Sequence, residues 1–320
     1  MEILIKQYVD EKTEIEAKTN MEIIKLLGIG KNATKMVKFA DNNIGFYKNS
    51  ALTTNAALDD FEYFISIMGR EILGFELANV QRVFDENNEK IGIISENVAN
   101  ENERLMMFSD ILDIITQNPT EELLQAATNI RKIREENMQT FSDQYGGEKV
   151  FPVVTNDEEI VQIIDMFSIS IDNLNITKEE KDNMLKKYFE MIVLDVLTGQ
   201  KDRTNNNYGI LYNQQTKETR FSPLFDNSAL HMPGVPDNYC QLNGFLIDRN
   251  NLMSVLVNNY SEITLDIINP ILERKDDILT RSQRLSQRVL DAGQANMVMG
   301  TLTDGLNVLE SITKQCSNKK

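Results

Sequence analysis

The chain has 320 residues, 41% of them hydrophobic, and a net charge of −16. That length suits two modest lobes, and the apolar content is enough for a real core, which argues against disorder. The negative field opposes binding to nucleic-acid phosphates, and no apolar run approaches the roughly 20 residues that span a membrane.

The first residues, MEILIKQYVDEKTEIEAK, mix charges early and lack the apolar block of a secretory leader. Cys240 and Cys316 lie far apart, which points to a reducing cytosol more than a disulfide scaffold. With His231 the only histidine, they are too few for a zinc centre. The expected setting is cytoplasmic, with neither nucleic acid nor membrane as a direct partner.

MEILIKQYV reads as a strand, whereas the periodicity of EIEAKTNMEIIKLL allows a helix or a second strand. Gly28 and Gly30 then precede a short polar turn containing Lys31 and Lys35. MVKF and IGFYK read as two strands around Asp41-Asn42-Asn43, a hairpin signal. Glycine lets backbone N–H groups approach an anion without a side-chain clash. The turn fits neither G-x-G-x-x-G nor the Walker pattern.

Phe61, Phe64, Ile65, Met68 and Ile72 form a helical stripe, with Glu62 near its start. LANVQRVFDENNEKIGIISENVAN reads as strand, turn, strand. Its Asp85, Asn87, Glu89 and Glu96 nearly mimic a calcium loop, but Lys90 stands where that loop needs glycine, so the segment is a hairpin turn.

From about Asn102 the pattern turns helical, in ERLMMFSDILDIITQ and TEELLQAATNIRKIREENMQTF, with Pro119 at the break. QYGGEKVFP reads as a loop, and NDEEIVQIIDMFSIS as another helix. ITKEEKDNMLKKYFEMIVLDVLTG is a long amphipathic helix, with Thr177 and Glu180 spaced as a capping box. Its Met184, Phe189 and Met191 are core positions. NSALHMPGVPDNYCQLNGFLIDRN has loop chemistry, and the remainder is helical without a catalytic constellation.

The informative stretch is Met191 to Ser228. An apolar helix enters a charged turn holding Asp202 and, five positions on, Asn207; a strand-turn-strand segment follows, then Asp226. This is the metal-and-base layout of kinase catalytic loops. One carboxylate must sit near the acceptor hydroxyl. An amide oxygen and a second carboxylate must hold magnesium, which takes hard oxygen ligands and is usually bound by one or two carboxylates plus phosphate.

The residues Gln200-Lys201-Asp202-Arg203-Thr204-Asn205-Asn206-Asn207-Tyr208-Gly209 and Pro223-Leu224-Phe225-Asp226 resemble the N-x-D-R-H-x-x-N-x-G and P-L-[YF]-D segments of HipA-like kinases, and more distantly of phosphatidylinositol 3/4-kinases. Gln200 stands where that family has Asn, and Thr204 where it has His. The resemblance implies ATP- and magnesium-dependent phosphoryl transfer to a protein serine or threonine, on a partner protein or on the enzyme itself, in a bacterial cell. It implies Asp202 and Arg203 as catalytic residues and Asn207 and Asp226 as magnesium ligands.

The same resemblance has Gly28, Gly30, Lys31 and Lys35 covering the phosphates. A strand lysine clamps the α/β-phosphates; Lys38 and Lys48 compete, and the family's order of elements favours Lys48. Glu62, followed by an aromatic as in the family, pairs with that lysine. Backbone groups of Glu96, Asn97 and Val98 meet adenine. Strands before helices imply an α+β fold. The expected architecture is a two-lobed, protein-kinase-like fold, with a small mixed lobe over residues 1–100 and a mainly helical lobe over 101–320. The rival reading, drawn from Gln200 and Thr204, is a kinase-like protein that binds nucleotide or a partner without turnover.

Overall fold

The computed structural model describes residues 2–8, 13–27, 34–41, 43–49, 57–117, 119–142, 147–230, 232 and 234–317. Gly28, Gly30, Lys31 and His231 lie outside the described residues. The chain divides into two units. One holds Met1–Val98 with Pro223–Ala229 and Asp276–Met299; the other holds Ala99–Ser222, Leu230–Lys275 and Gly300–Lys320. The first unit is therefore not the single block 1–100, since it takes back the P-L-F-D segment and a late helical one.

In the first unit, β1 (Glu2–Tyr8), β2 (Glu14–Leu27), β3 (Thr34–Phe39), β4 (Ile44–Lys48), β5 (Val80–Phe84) and β6 (Lys90–Glu96) form a closed barrel in the order β1-β2-β3-β4-β6-β5. EIEAKTNMEIIKLL, ambiguous by periodicity, is strand because both its sides are paired: Thr19 opposite Ile3, and Met21 opposite Phe39. Backbone pairing on two sides outweighs a weak local pattern. Each strand sends one residue into the barrel core: Ile3, Met21, Val37, Tyr47, Val83 and Ile94. In the two hairpins, Asp41 accepts from the Asn43 N–H, and Asp85 accepts from the Asn87 and Glu89 N–H groups. Such Asx bonds are why Asp serves at turns.

The stripe Phe61, Phe64 and Ile65 is buried on α1 (Ala57–Ile67), which runs directly into a π-helical segment, Met68–Leu73. The late segment belongs here through hydrogen bonds. On α8 (Lys275–Val289), Arg281 donates to the Glu71 carbonyl at 2.9 Å, and Arg82 donates to the Val289 carbonyl.

The second unit is helical with two small sheets. Its elements are β7 (Glu103–Met107), α2 (Phe108–Ile115), α3 (Glu121–Glu136), β8 (Met138–Ser142), β9 (Glu148–Val154), α4 (Asp157–Asp172), α5 (Lys178–Thr198), β10 (Gly209–Asn213), β11 (Thr219–Phe221), β12 (Tyr239–Leu242), β13 (Phe245–Asp248), α6 (Arg249–Asn259), α7 (Ser261–Glu273) and the end of α9 (Ala292–Ser317). The sheets run β11-β10-β7 and β12-β13-β9-β8. Sequence reasoning places ERLMM in a helix and QYGGEKVFP and CQLNGFLID in loops; all three contain strands. ERLMM is strand because Met106 pairs with Ile210. A strand of four or five residues is too short to display alternation, so only its distant partner reveals it.

α5 carries the catalytic stretch. Thr177 Oγ1 accepts from the Glu180 N–H at 3.2 Å, and Glu180 accepts in return from the Thr177 N–H at 2.7 Å. The other Glu180 oxygen takes the Thr219 N–H at 2.7 Å, so the cap also ties β11 to the helix. From Met191 to Thr198 every side chain is buried, as in a helix surrounded by protein. Below it lies an aromatic cluster of Phe108, Phe167, Tyr188, Tyr208 and Phe221, with Phe167 stacked on Tyr188 at 4.3 Å. No helix among the described residues is long and apolar enough to cross a membrane.

Replacing Thr177 by Ala is expected to lower unfolding free energy by about 1 kcal/mol in urea. The bonds from Thr177 and Thr219 hold the Glu180 carboxyl below its ordinary value of 4.5. Its contribution is thus complete above that value and lost as pH falls through the depressed one. The stability gap between wild type and Glu180→Gln should be present at pH 7 and close in acid. A gap that widens on acidification would contradict this assignment.

Candidate active site

The residues singled out by the catalytic pattern fall in both units, and each group forms a defined cluster. In the second unit, Gly199, left-handed at φ 63°, ends α5 and turns the chain into the loop. Asp202 is exposed while its neighbours Lys201 and Arg203 are buried. Arg203 is wholly inaccessible and Asp195, one turn back in α5, is 2% exposed. They form a two-pronged pair, Nε to Oδ2 at 2.9 Å and Nη2 to Oδ1 at 2.8 Å. The remaining nitrogen, Nη1, donates to the Asn207 carbonyl at 2.8 Å.

Arg203, expected among the catalytic residues, is buried, and its guanidinium is committed to Asp195 and the Asn207 carbonyl. Burial pushes the Asp195 carboxyl up, and the guanidinium beside it works against that shift.

The rest of the loop is equally tied. The Asn207 amide nitrogen donates to the Asp202 carbonyl, which leaves its side-chain oxygen as the available ligand atom. Lys201 donates to the carbonyls of Gly199 and Leu230, at 3.3 and 3.1 Å. Ser109 holds the far side, donating from its N–H to the Asn205 carbonyl at 3.0 Å and from its hydroxyl to Asn206 at 2.6 Å. Gly209 has a steric cause: a Cβ there would lie 2.1 Å from the Met106 carbonyl of the paired strand β7.

In the first unit, Lys48, Glu62 and Asp226 come together. Lys48 Nζ lies 2.8 Å from Glu62 Oε2 and 2.9 Å from Asp226 Oδ1. Lys48 rather than Lys38 is the strand lysine that meets these carboxylates. Lys38 sits on the neighbouring strand, opposite Ile44 and Glu22. Burial works against the Lys48 charge, yet the two carboxylates outweigh it and raise the ammonium's pKa. Glu62 is 2% exposed, and burial raises its pKa against the pull of Lys48.

Asp226 is carried in by a parallel bridge of Leu77 to Leu224, with the Ala78 N–H donating to the Leu224 carbonyl at 2.7 Å. Its φ of +56° is a left-handed conformation that Asp tolerates better than most residues. At 39% exposure, its carboxylate is accessible to a cation.

Other expected nucleotide contacts are placed differently. Lys35 has its ammonium over the Tyr47 ring, 5.5 Å from the centroid. The Glu96 N–H donates to the Asn79 carbonyl and the Asn97 N–H to the Ile44 carbonyl, so these two donors are already used within the unit. The Glu96 carboxylate takes the amides of Asn79 and Gln81, each at 2.8 Å. Val98 ends the first of the unit's three segments. Sequence reasoning missed Asp195 altogether. Its signal was an acid inside an otherwise apolar helix, seven and eight residues before Asp202 and Arg203.

In the first unit Asp226 presents a hard carboxylate oxygen of the kind magnesium accepts and Lys48 a charge that suits phosphate; in the second unit Asn207 presents an amide oxygen.

No family model matches the chain, and no curated protein does. Among solved structures it is similar to the Helicobacter pylori proinflammatory kinase CtkA, with 15% identity, a TM-score of 0.60, and coverage of 92% of this chain and 96% of that one. At that identity the likeness is one of fold: the chain has the mixed α+β fold of a two-lobed kinase.

Asp195→Ala is expected to destabilise the protein by about 3–5 kcal/mol, because it strands a buried guanidinium. Replacing the pair together, Asp195→Leu with Arg203→Met, should recover much of that loss in denaturant melts. If the single substitution is neutral, the pair does not carry the loop.

Proposed function

We propose that the protein transfers the terminal phosphoryl group of ATP, with magnesium, to a serine or threonine hydroxyl, as the HipA-like kinases it resembles do. The observation that carries this reading is the meeting of Lys48, Glu62 and Asp226. A strand lysine, a helix glutamate and a loop aspartate distant in sequence converge within 3 Å of one ammonium. The fold and the D-R-x-x-x-N-x-G loop support it independently.

Bound ATP with magnesium supplies the electrophilic phosphorus and neutralises the charge on its phosphates. The chain's own residues position it. Lys48, held by Glu62, binds the α/β-phosphate oxygens. Asp226 and the Asn207 amide oxygen would hold the metal. Asp202, exposed on a loop fixed from beneath, orients the acceptor hydroxyl and takes its proton. Arg203 and Asp195 keep that loop in place. No covalent enzyme intermediate is needed, since positioning and charge stabilisation dominate this reaction. The acceptor is a protein, a partner or this chain itself. The strongly acidic surface disfavours an anionic lipid surface.

Intact-mass measurement after incubation with magnesium and ATP, alone and with candidate acceptor proteins, tests the reading. The wild type should add phosphate to itself or to an acceptor, and Asp202→Asn should slow this by at least about 10². Asp226→Ala should remove the magnesium dependence of ATP binding and leave the fold intact. Lys48→Ala should reduce activity more than Lys38→Ala. ATP binding without any phosphate gain would instead support the non-catalytic reading that Gln200 and Thr204 raise.

A further inference from the structure

The turn between β12 and β13 lies in a segment that reads from sequence as a loop, yet it touches the catalytic loop at several points. The Gln241 N–H donates to the Gln200 carbonyl at 2.8 Å, and the Gly244 N–H donates to the Arg203 carbonyl at 3.1 Å. Two amides three residues apart thus grip two carbonyls three residues apart, and the gripped pair brackets Lys201 and Asp202. The spacing depends on the turn's conformation. Asn243 and Gly244 are both left-handed, at φ 52° and 82°, as a tight two-residue hairpin requires.

The Asn243 side chain adds a second layer. Its Oδ1 accepts from the Tyr208 hydroxyl at 2.6 Å, and its Nδ2 donates to the Ile163 carbonyl at 3.1 Å and to the Tyr188 hydroxyl at 3.2 Å. Tyr208 directly follows Asn207, so both ends of the loop are referred to one turn. Arg134 closes it from outside, donating to the Asn243 carbonyl at 3.1 Å and lying over the Phe245 ring.

We propose that the Asn243–Gly244 turn is the positioning element that sets where Asp202 stands relative to the acceptor hydroxyl. Asn243 and Gly244 are positioning residues for the transfer step, not ligands of the nucleotide. The inference rests on the phosphotransfer reading for its kinetic consequence, while the grip itself is a property of the second unit. Asp202 is exposed, and the backbone on both sides of it is held by the grip on Gln200 and Arg203. The hairpin is rigid because β13 also pairs in parallel with β9, Leu246 opposite Val153. A displacement of about 1 Å at a reacting group costs up to about 10² in rate.

The test uses the full chain and Gly244→Ala, whose Cβ would be strained at its φ and lie 3.2 Å from the Arg134 guanidinium. Two readouts are taken together: phosphate transfer with its kcat and KM for ATP, and amide hydrogen exchange across residues 199–208 and 239–245. The expected result is a kcat lower by about tenfold or more with KM for ATP within about twofold, and faster exchange at the gripping amides of residues 241 and 244 and across 199–208, with α5 still protected. Should Gly244→Ala fail to fold, Asn243→Gly keeps the left-handed turn and removes only the side-chain bonds. It should lower kcat by a smaller factor, again at constant KM.

Unchanged kcat and unchanged exchange in the folded variant would overturn the proposal. So would a parallel loss of ATP affinity, which would mean general damage. If the wild type itself transfers no phosphate, the phosphotransfer reading fails, and the exchange across 199–208 alone decides whether the turn holds the loop.

Discussion

A carboxylate and a guanidinium sealed away from water organise the second unit. Burying Asp195 and Arg203 removes the hydration of both, and such a pair returns little net stability compared with apolar side chains of similar volume. Its effect is geometric. The planar fork of an arginine fixes direction as well as distance, which a lysine's ammonium does not. Through this fork α5 is locked to the Asn207 carbonyl, and between those anchors Asp202 and Asn206 are the exposed residues while Lys201 and Arg203 are buried.

The first unit solves a different electrostatic problem. Lys48 lies among protein atoms, where burial works against its charge. Two carboxylates, one from α1 and one from the returning P-L-F-D segment, outweigh that effect. The arrangement is asymmetric. Glu62 is buried on its helix, whereas Asp226 is partly open to solvent in a left-handed conformation and is the more accessible of the two.

How far sequence alone reaches is clear from particular residues. The order Asp202, Asn207, Asp226 and the capping box at Thr177 and Glu180 rest on local patterns of a few residues, and the choice of Lys48 rests on the order of elements in the family the chain resembles. The fold class followed from strands preceding helices. What could not be read were relationships between distant segments. The role of Arg203 depends on Asp195, which looks like any acid on a helix until the helix is seen to be buried all round. The strand character of ERLMM depends on GILYN a hundred residues later. In the segment whose backbone groups are expected at adenine, the Glu96 and Asn97 N–H groups bond to the Asn79 and Ile44 carbonyls, partners that only the fold supplies. The β12–β13 turn was hidden because two prolines and two glycines nearby read as a long loop.

The make-up of the first unit also has a consequence for how the chain comes off the ribosome. Its barrel closes when β1 meets β5, so the first strand waits for roughly eighty residues before its second neighbour exists. Even then the unit is incomplete. Its Asp226 arrives after the whole of α5, and the carbonyls of Glu71 and Val289 find or serve their arginines only when α8 has been made. Contacts this distant in sequence are the slow ones to form. A nascent barrel therefore holds Lys48 by Glu62 alone, and the π-helical end lacks its bond from Arg281 until α8 has been made. A fragment stopped after residue 98 is not a free-standing unit, because it lacks two of the three segments that compose it.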